Sequence, residues 1–336
     1  MKYARIIGTG SYLPPNVFTN ADWEKIVETS DDWIVDRTGI RSRHFGDAQE
    51  TTPNMATQAA KRAMEQAGCK PEDIEMIIVA TGTNDKVFPA ASCIVQSNLG
   101  IPTCAAFDVG AACSGFIYGL SIADQYIRSG AVKSAIVIGA ELMSRVIDWT
   151  DRNTCVLFGD GAGAVILQAS DEPGILSTHL YAQGSYGDLL TIDNAQMADL
   201  SPFCSEGKKK EGYNKPLSDL HPYVQMQGQK VFKLAVTKLD EMVRDIQNKH
   251  QLTPDQIDWL VPHQANIRII KATAEKLGLP MEKVICTVDT HSNTSSASIP
   301  LALDRAVRDG KIKRGDTLML EGFGGGLAWG SALIKY

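Results

Sequence analysis

The 336-residue chain repeats itself, and that repeat constrains its fold more than any other feature. The segment PEDIEMIIVATGTN (71–84) returns as PDQIDWLVPHQAN (254–266). The stretch AAFDVGAACSGFIYGLSIADQYIRSGAVKSAIVIGAEL (105–142) returns as VICTVDTHSNTSSASIPLALDRAVRDGKIKRGDTLMLEGF (284–323), down to the matched RSG and RDG helix ends. FGDGAGAVILQAS (158–170) is echoed by FGGGLAWGSALIKY (323–336). Matched segments in one order make an internal duplication the economical explanation. Strands alternate with helices throughout, which reads as α/β layers. Two similar α/β halves, residues 1–172 and 173–336, are expected to pack together, with a site where equivalent turns meet.

In the first half, residues 21–28 read as a short helix and 53–68 as a longer one stopped by Gly68. Between them Trp33, Arg37 and Arg41 fall close together among turn formers. A Trp beside Arg can stack a planar ring and hold a phosphate; it reads equally well as a loop anchor with surface ion pairs. A strand over 74–83 and a helix over about 89–99 lead to a short apolar run, 104–109, that suits a buried strand. After the small-residue turn Gly110-Ala111-Ala112, apolar Phe116, Leu120, Ala123 and Ile127 recur at the helical period. Cys113 therefore sits on a strand-to-helix turn. Free N–H groups and the positive end of the helix dipole there favour a thiolate. The bland reading is a small buried hydrophobe, the usual fate of an intracellular cysteine. A strand over 134–142 and the stretch 158–170 complete the half.

In the second half, residues 230–247 give a helix with apolar Val231, Leu234, Leu239 and Met242. His263 follows the apolar run Trp259-Leu260-Val261, and Asn293 lies in the turn equivalent to that of Cys113. Alone, such a histidine is a structural hydrogen-bonder and such an asparagine a helix cap. Together, on equivalent turns, they supply a nucleophile and two donors able to point at one carbonyl oxygen. Gly324-Gly325-Gly326 adds a backbone that can approach the sulfur and lend an N–H.

Composition removes competing classes. A net charge of −6 argues against a general nucleic-acid binder. The seven cysteines are odd in number and contain no C-x-x-C pair, so neither a disulfide framework nor a zinc site is indicated, and a reducing cytoplasm fits best. No run has the length of a membrane span or the core of a signal peptide.

The motifs DVGAACSGF, WLVPHQAN, HSNTSSAS and FGGGLAWGS together resemble β-ketoacyl-(acyl-carrier-protein) synthase III, the condensing enzyme that initiates bacterial type II fatty-acid synthesis. The resemblance runs nearly end to end, from GTGSYLP and SDDWIVDRTGIR to the C-terminus. It implies a thiolase-like fold, two duplicated α/β halves in a layered αβαβα structure. It also implies a ping-pong acyl-Cys mechanism with no metal or cofactor: Cys113 takes an acyl group from acetyl-CoA or another short acyl-CoA, and malonyl-acyl-carrier protein (ACP) then accepts it with loss of CO2. By position, the oxyanion would be held by the N–H groups of Cys113 and Gly325, and the enolate by His263 and Asn293. Trp33 and Arg152 would sandwich the CoA adenine, with Thr29 and Arg37 nearby and Gly228, Ala265 and Asn266 lining the pantetheine tunnel. Met143, Phe158 and Leu190 would line the acyl pocket, and Phe88 would reach the partner's pocket in a homodimer. Lys233, Arg268 and Lys276 would form a basic face for ACP; each is otherwise a solvated helix charge. Two departures stand out. Ser292 occupies a position where the family usually has glycine, and residues 194–223 form a polar, turn-rich excursion, including Lys208-Lys209-Lys210, expected at the surface. The alternative function is a related Cys-His-Asn condensing enzyme of a secondary pathway, and from another class, a non-catalytic binding protein of the same fold.

Overall fold

A computed structural model describes residues 2–194 and 220–336. Most of the expected excursion, with Lys208, Lys209 and Lys210, lies outside them. In chain order the first sheet-forming half comprises β1 (Tyr3–Tyr12), β2 (Asn16–Thr19), α1 (Asn20–Trp23), α2 (Asp31–Thr38), β3 (Ser42–Phe45), α3 (Thr52–Ala67), β4 (Met76–Ala80), α4 (Ala91–Asn98), β5 (Ala105–Val109), α5 (Gly115–Arg128), β6 (Ser134–Glu141) and β7 (Gly161–Ser170). The remainder comprises β8 (Ile175–Ala182), β9 (Leu190–Thr191), β10 (Gln225–Met226), α6 (Gly228–His250), β11 (Trp259–Pro262), α7 (Ile267–Leu277), α8 (Val288–His291), α9 (Ser298–Arg308), β12 (Thr317–Gly324) and β13 (Ala328–Lys335).

The duplication is visible in the strand order. One sheet runs β1-β7-β6-β4-β5 and the other β8-β13-β12-β11. In both, the inner pair (β4–β6 and β11–β12) is parallel and the next pairs are antiparallel. Where the first sheet adds β5, the second has only a parallel bridge from Leu260 to Val284. The apolar stripes of α5 (Phe116, Ile117, Leu120) and α9 (Ile299, Ala302, Leu303) pack between the two sheets. Helices α3 and α4 cover the outer face of the first sheet, and α6 and α7 that of the second. The expected αβαβα layering is the one observed. The buried strand MIIVA of β4 reads as a continuous apolar run because it has helices on both faces.

Three local expectations are corrected. The helix expected over 21–28 is only the four residues of α1, fixed by Thr19 and Asp22 capping each other. The run of turn formers around Trp33 is a helix, α2: the Ser30 side chain accepts from the Trp33 N–H at 3.2 Å, and Gly39 ends it at φ 77°. The Asp-rich start, weak as helix interior, is well placed at a helix N-terminus. Finally, β5 is a partly exposed edge strand and not a buried one. Asp108, the residue that breaks its apolar run, accepts from the backbone N–H groups of Ala91 (2.7 Å) and Ser92 (2.9 Å) and so caps α4, whose own N-cap Ala90 cannot.

The layers meet closely where the interesting turns lie. A Cβ on Gly139 of β6 would fall 2.2 Å from the Ser296 carbonyl oxygen, so only glycine lets the 292–298 turn rest on the strand. Among the described residues no helix is long and apolar enough to cross a membrane, and no three His, Cys, Asp or Glu side chains group as metal ligands.

Candidate active site

Cys113 lies in the short 3-10 turn Ala112–Ser114 that feeds directly into α5. His263 follows the last residue of β11, and Asn293 follows α8 in the turn before α9. All three side chains are buried to the same extent, 7% exposed, and all line one cavity of about 430 Å³. The duplicated fold thus brings to one point what the sequence separates by 180 residues.

Each donor is oriented. Ser298 Oγ accepts from the Gln264 N–H at 3.2 Å and stands 2.6 Å from His263 Nδ1. In the tautomer with its hydrogen on Nε2, the ring accepts the Ser298 hydroxyl hydrogen at Nδ1 and points its own N–H away from Ser298. Burial depresses the His263 pKa to about 4, so the ring is neutral at physiological pH and carries one N–H able to donate. Gln264 clamps the same loop: its amide donates to the Pro262 and Ile285 carbonyls and accepts from the Thr287 and Val288 N–H groups. Asn293 Oδ1 accepts from the Ser295 N–H at 2.9 Å, and Asn293 forms a backbone bridge with Phe158, so its NH2 is left to donate into the cavity.

The thiol departs from expectation. The helix N-terminus is present, yet burial outweighs it and pushes the Cys113 pKa up to about 11; a nearby Glu141 raises it further, while a Ser295 hydrogen bond and the backbone lower it. Ser292 is the departure noted in the sequence. It holds φ 57°, ψ −162°, a conformation suited to glycine, with its hydroxyl donating to the His291 carbonyl. Ser292→Gly is expected to raise stability by about 1 kcal/mol, read as a higher midpoint of thermal unfolding. An unchanged or lower midpoint would count against strain at this residue.

The other sequence candidates separate into groups. Trp33, Arg37, Gly228, Ala265 and Asn266 line the Cys113 cavity, along with Arg268. The Asn266 side chain caps α7 by accepting from the Ile269 N–H at 2.9 Å. Arg152 and Thr29 do not line the cavity. Arg152 lies over the Trp33 ring at 5.1 Å, tied to the Glu28 carbonyl, with Arg37 over the same ring at 4.7 Å. Thr29 Oγ1 is buried. Met143, Phe158 and Leu190 line a second cavity that meets the first at Cys113 and also contains Gly325 and Ser295. Phe88 does not line it; the side chain is 83% exposed. Lys233 and Arg268 are exposed on the packed helices α6 and α7, whereas Lys276 lies at the opposite end of α7, roughly 12 Å along its axis from Arg268. The backbone of Gly324 touches the nucleophile: a Cβ there would fall 2.6 Å from the Cys113 nitrogen.

Sequence reading missed Ser298, Ser295 and Glu141. The hydroxyl-rich HSNTSSAS string was a signal for the first two. Nothing local marks Glu141, the last residue of an all-buried strand.

The chain matches the family description 3-oxoacyl-[acyl-carrier-protein (ACP)] synthase III over residues 107–184, and that of its C-terminal portion over residues 248–336. It is 56% identical over 334 residues to a β-ketoacyl-[acyl-carrier-protein] synthase III of Serratia proteamaculans, covering 99% of this chain and 100% of the relative. The identity is 54% over 336 residues to the enzyme of that name from Thioalkalivibrio sulfidiphilus, covering 100% of both. The crystal structure of 3-oxoacyl-[acyl-carrier-protein] synthase III from Aquifex aeolicus superposes with a TM-score of 0.90 at 47% identity, covering 99% of this chain and 100% of that one.

Proposed function

The chain belongs to the 3-oxoacyl-[acyl-carrier-protein] synthase III family, condensing acyltransferases that initiate fatty-acid synthesis, and from that premise we propose that Cys113 carries an acyl group from a short acyl-CoA, acetyl-CoA first among them, to malonyl-ACP. One observation carries the assignment of roles: a nucleophile and two fixed, neutral donors share one buried cavity that extends to Trp33.

In the first half-reaction the Cys113 thiolate attacks the thioester carbonyl, and the N–H groups of Cys113 and Gly325 receive the oxyanion. CoA leaves and the acyl group stays on sulfur, lodged among Met143, Phe158 and Leu190. In the second, malonyl-ACP loses CO2, and His263 Nε2–H and the Asn293 NH2 hydrogen-bond the enolate oxygen. The carbanion attacks acyl-Cys113, giving 3-oxoacyl-ACP and freeing the sulfur. His263 stays neutral throughout, which suits stabilisation of a developing anion without proton transfer.

The CoA nucleotide is assigned to Trp33, with Thr29 and Arg37 beside it. Two stacked contacts of about 3.5–4 Å need roughly 7 Å between Trp33 and Arg152, so Arg152 swings out from its 5.1 Å contact when adenine enters. Gly228, Ala265 and Asn266 line the path of the pantetheine arm. Lys233 and Arg268, near that mouth, are assigned to the acidic carrier protein, and Lys276 to the rim of the same face. A second copy of the chain is assigned to the β5 edge, where an unpaired strand lies near exposed Val87 and Phe88; Phe88 would then enter the partner's acyl pocket. This reading places the enzyme in a reducing cytoplasm, where the Cys113 thiol stays free for acylation.

The test is intact-mass spectrometry after mixing the protein with a panel of acyl-CoAs. An acetyl adduct mapping to Cys113 and discharged by malonyl-ACP, not by malonyl-CoA, is expected. Folded protein that takes no adduct would overturn the proposal.

A further inference from the structure

Acylation needs Cys113 as a thiolate, and the site as described gives its proton no acceptor. Burial holds the thiol near 11, while His263 has a pKa near 4 and its Nδ1 is engaged by Ser298. Another path leads from the sulfur. The Ser295 hydroxyl acts on Cys113, holding its pKa down against burial, and donates to Glu141 Oε1 at 3.1 Å. Both Ser295 and Glu141 line the acyl-side cavity together with Cys113. Ser295 holds φ 50°, a conformation a non-glycine residue keeps only where its surroundings impose it.

Counting hydrogens shows that this array satisfies two protonation states. With a thiol and an ionised Glu141, Cys113 S–H donates to Ser295 Oγ and the Ser295 hydroxyl donates to the carboxylate. With a thiolate and a protonated Glu141, the carboxyl donates to Ser295 Oγ and the hydroxyl donates to the sulfur. Ser296 fits both states: its Oγ stands 2.9 Å from Glu141 Oε1 and 2.8 Å from the Ala80 carbonyl, with one hydrogen for two acceptors. That hydrogen can go to either acceptor in both states, because the single carboxyl hydrogen of the second state is already given to Ser295. Thr83 Oγ1 (2.8 Å), Thr81 Oγ1 (3.3 Å) and the Gly82 N–H (3.1 Å) hold the carboxyl in place. Burial raises the Glu141 pKa, toward that of the group it faces. The titratable side chains of this cavity are Cys113, Glu141 and Asp193, and Asp193 accepts from the His221 N–H.

We propose that Glu141, through the Ser295 hydroxyl, takes the thiol proton of Cys113 during acylation and returns it to the departing CoA sulfur. The Cys113 S–H bond breaks as its proton passes to Ser295 Oγ, while the Ser295 proton passes to Glu141. The sulfur lone pair forms the new S–C bond and the C–S bond to CoA breaks. The proton then goes back from Glu141 through Ser295 to the CoA thiolate. The Cys113–Glu141 pair carries one negative charge before the transfer and one after it.

This inference rests on the acylation of Cys113 proposed above. Acylation by acetyl-CoA is timed by rapid quench and intact mass, from pH 6 to 9, in wild type, Glu141→Gln and Ser295→Gly. The glycine removes the hydroxyl and suits the backbone at φ 50°, so it keeps the test open should the Gln variant fail to fold. Both variants are expected to acylate about 10²-fold more slowly at pH 7 and to recover about tenfold per pH unit as hydroxide replaces the relay. A merely electrostatic Glu141 predicts the opposite, since removing its charge makes the thiol more acidic and acylation faster. Either variant, folded, matching or exceeding the wild-type rate across this range overturns the relay alone. A wild-type protein that takes no acyl group overturns both the relay and the proposed function.

Discussion

Asn293→Ala and His263→Ala each acylate at Cys113 at close to the wild-type rate and slow decarboxylation of malonyl-ACP about 10²–10³-fold, the cost of one oxyanion-hole donor, roughly 3–4 kcal/mol. The separation follows from the geometry. Neither donor is hydrogen-bonded to Cys113; each is oriented by its own partner, Ser298 for the imidazole and the Ser295 N–H for the amide. Because burial keeps the imidazole neutral down to about pH 4, the decarboxylation rate of the wild type should stay flat from pH 8 to about 5 as far as His263 is concerned. Acyl-enzyme formation and CO2 release are measured separately, the first by mass and the second with labelled malonyl-ACP. Loss of acylation in both variants, with folding intact, would sink the division of labour.

Arg43→Ala lowers the free energy of unfolding by about 3–5 kcal/mol. The guanidinium is fully buried and, among the described residues, hydrogen-bonds no carboxylate, Asp22 acting on it only through space: it donates to Asn20 Oδ1 and to the Val156 carbonyl, both at 2.6 Å, and lies 4.1 Å over the Trp23 ring. Burial depresses its pKa to about 10, still leaving it charged at neutral pH. Its loss leaves two buried acceptors unmet and a void beside Trp23, against the segment that leads to Phe158 and hence to Asn293. Urea unfolding monitored by tryptophan fluorescence measures the change. A difference below about 1 kcal/mol would show that the neutral partners and the aromatic face contribute little to stability.

The fold was largely legible because duplication is a property of the whole chain. Matched segments predicted two similar α/β halves and placed Cys113, His263 and Asn293 on equivalent turns. The triad could be read because each residue occupies a fixed place relative to a strand end. What stayed hidden depended on long-range pairing. That β5 lies at an edge cannot be seen from an apolar run, since periodicity does not say which neighbours a strand has. The helix around Trp33 was obscured by Asp and Ser, which favour turns in isolation and caps when a helix follows. Glu141 was invisible for a different reason. Its partners Ser295 and Ser296 lie more than 150 residues away, and a carboxylate closing an apolar strand carries no local mark of what it faces.

The two sheets draw on different ends of the chain, residues 3–170 and 175–335, and the reactive centre takes its sulfur from one and its two donors from the other. No fragment confined to either end contains a complete set of reacting groups. On the roles proposed for these residues, a partly melted molecule with one intact half is expected to be catalytically silent, and turnover to report on the joined state alone. Heating curves followed by activity and by structure should then coincide only where the halves melt together, and activity should fall first where one half melts ahead of the other, so that an assay of product gauges how firmly the halves hold together.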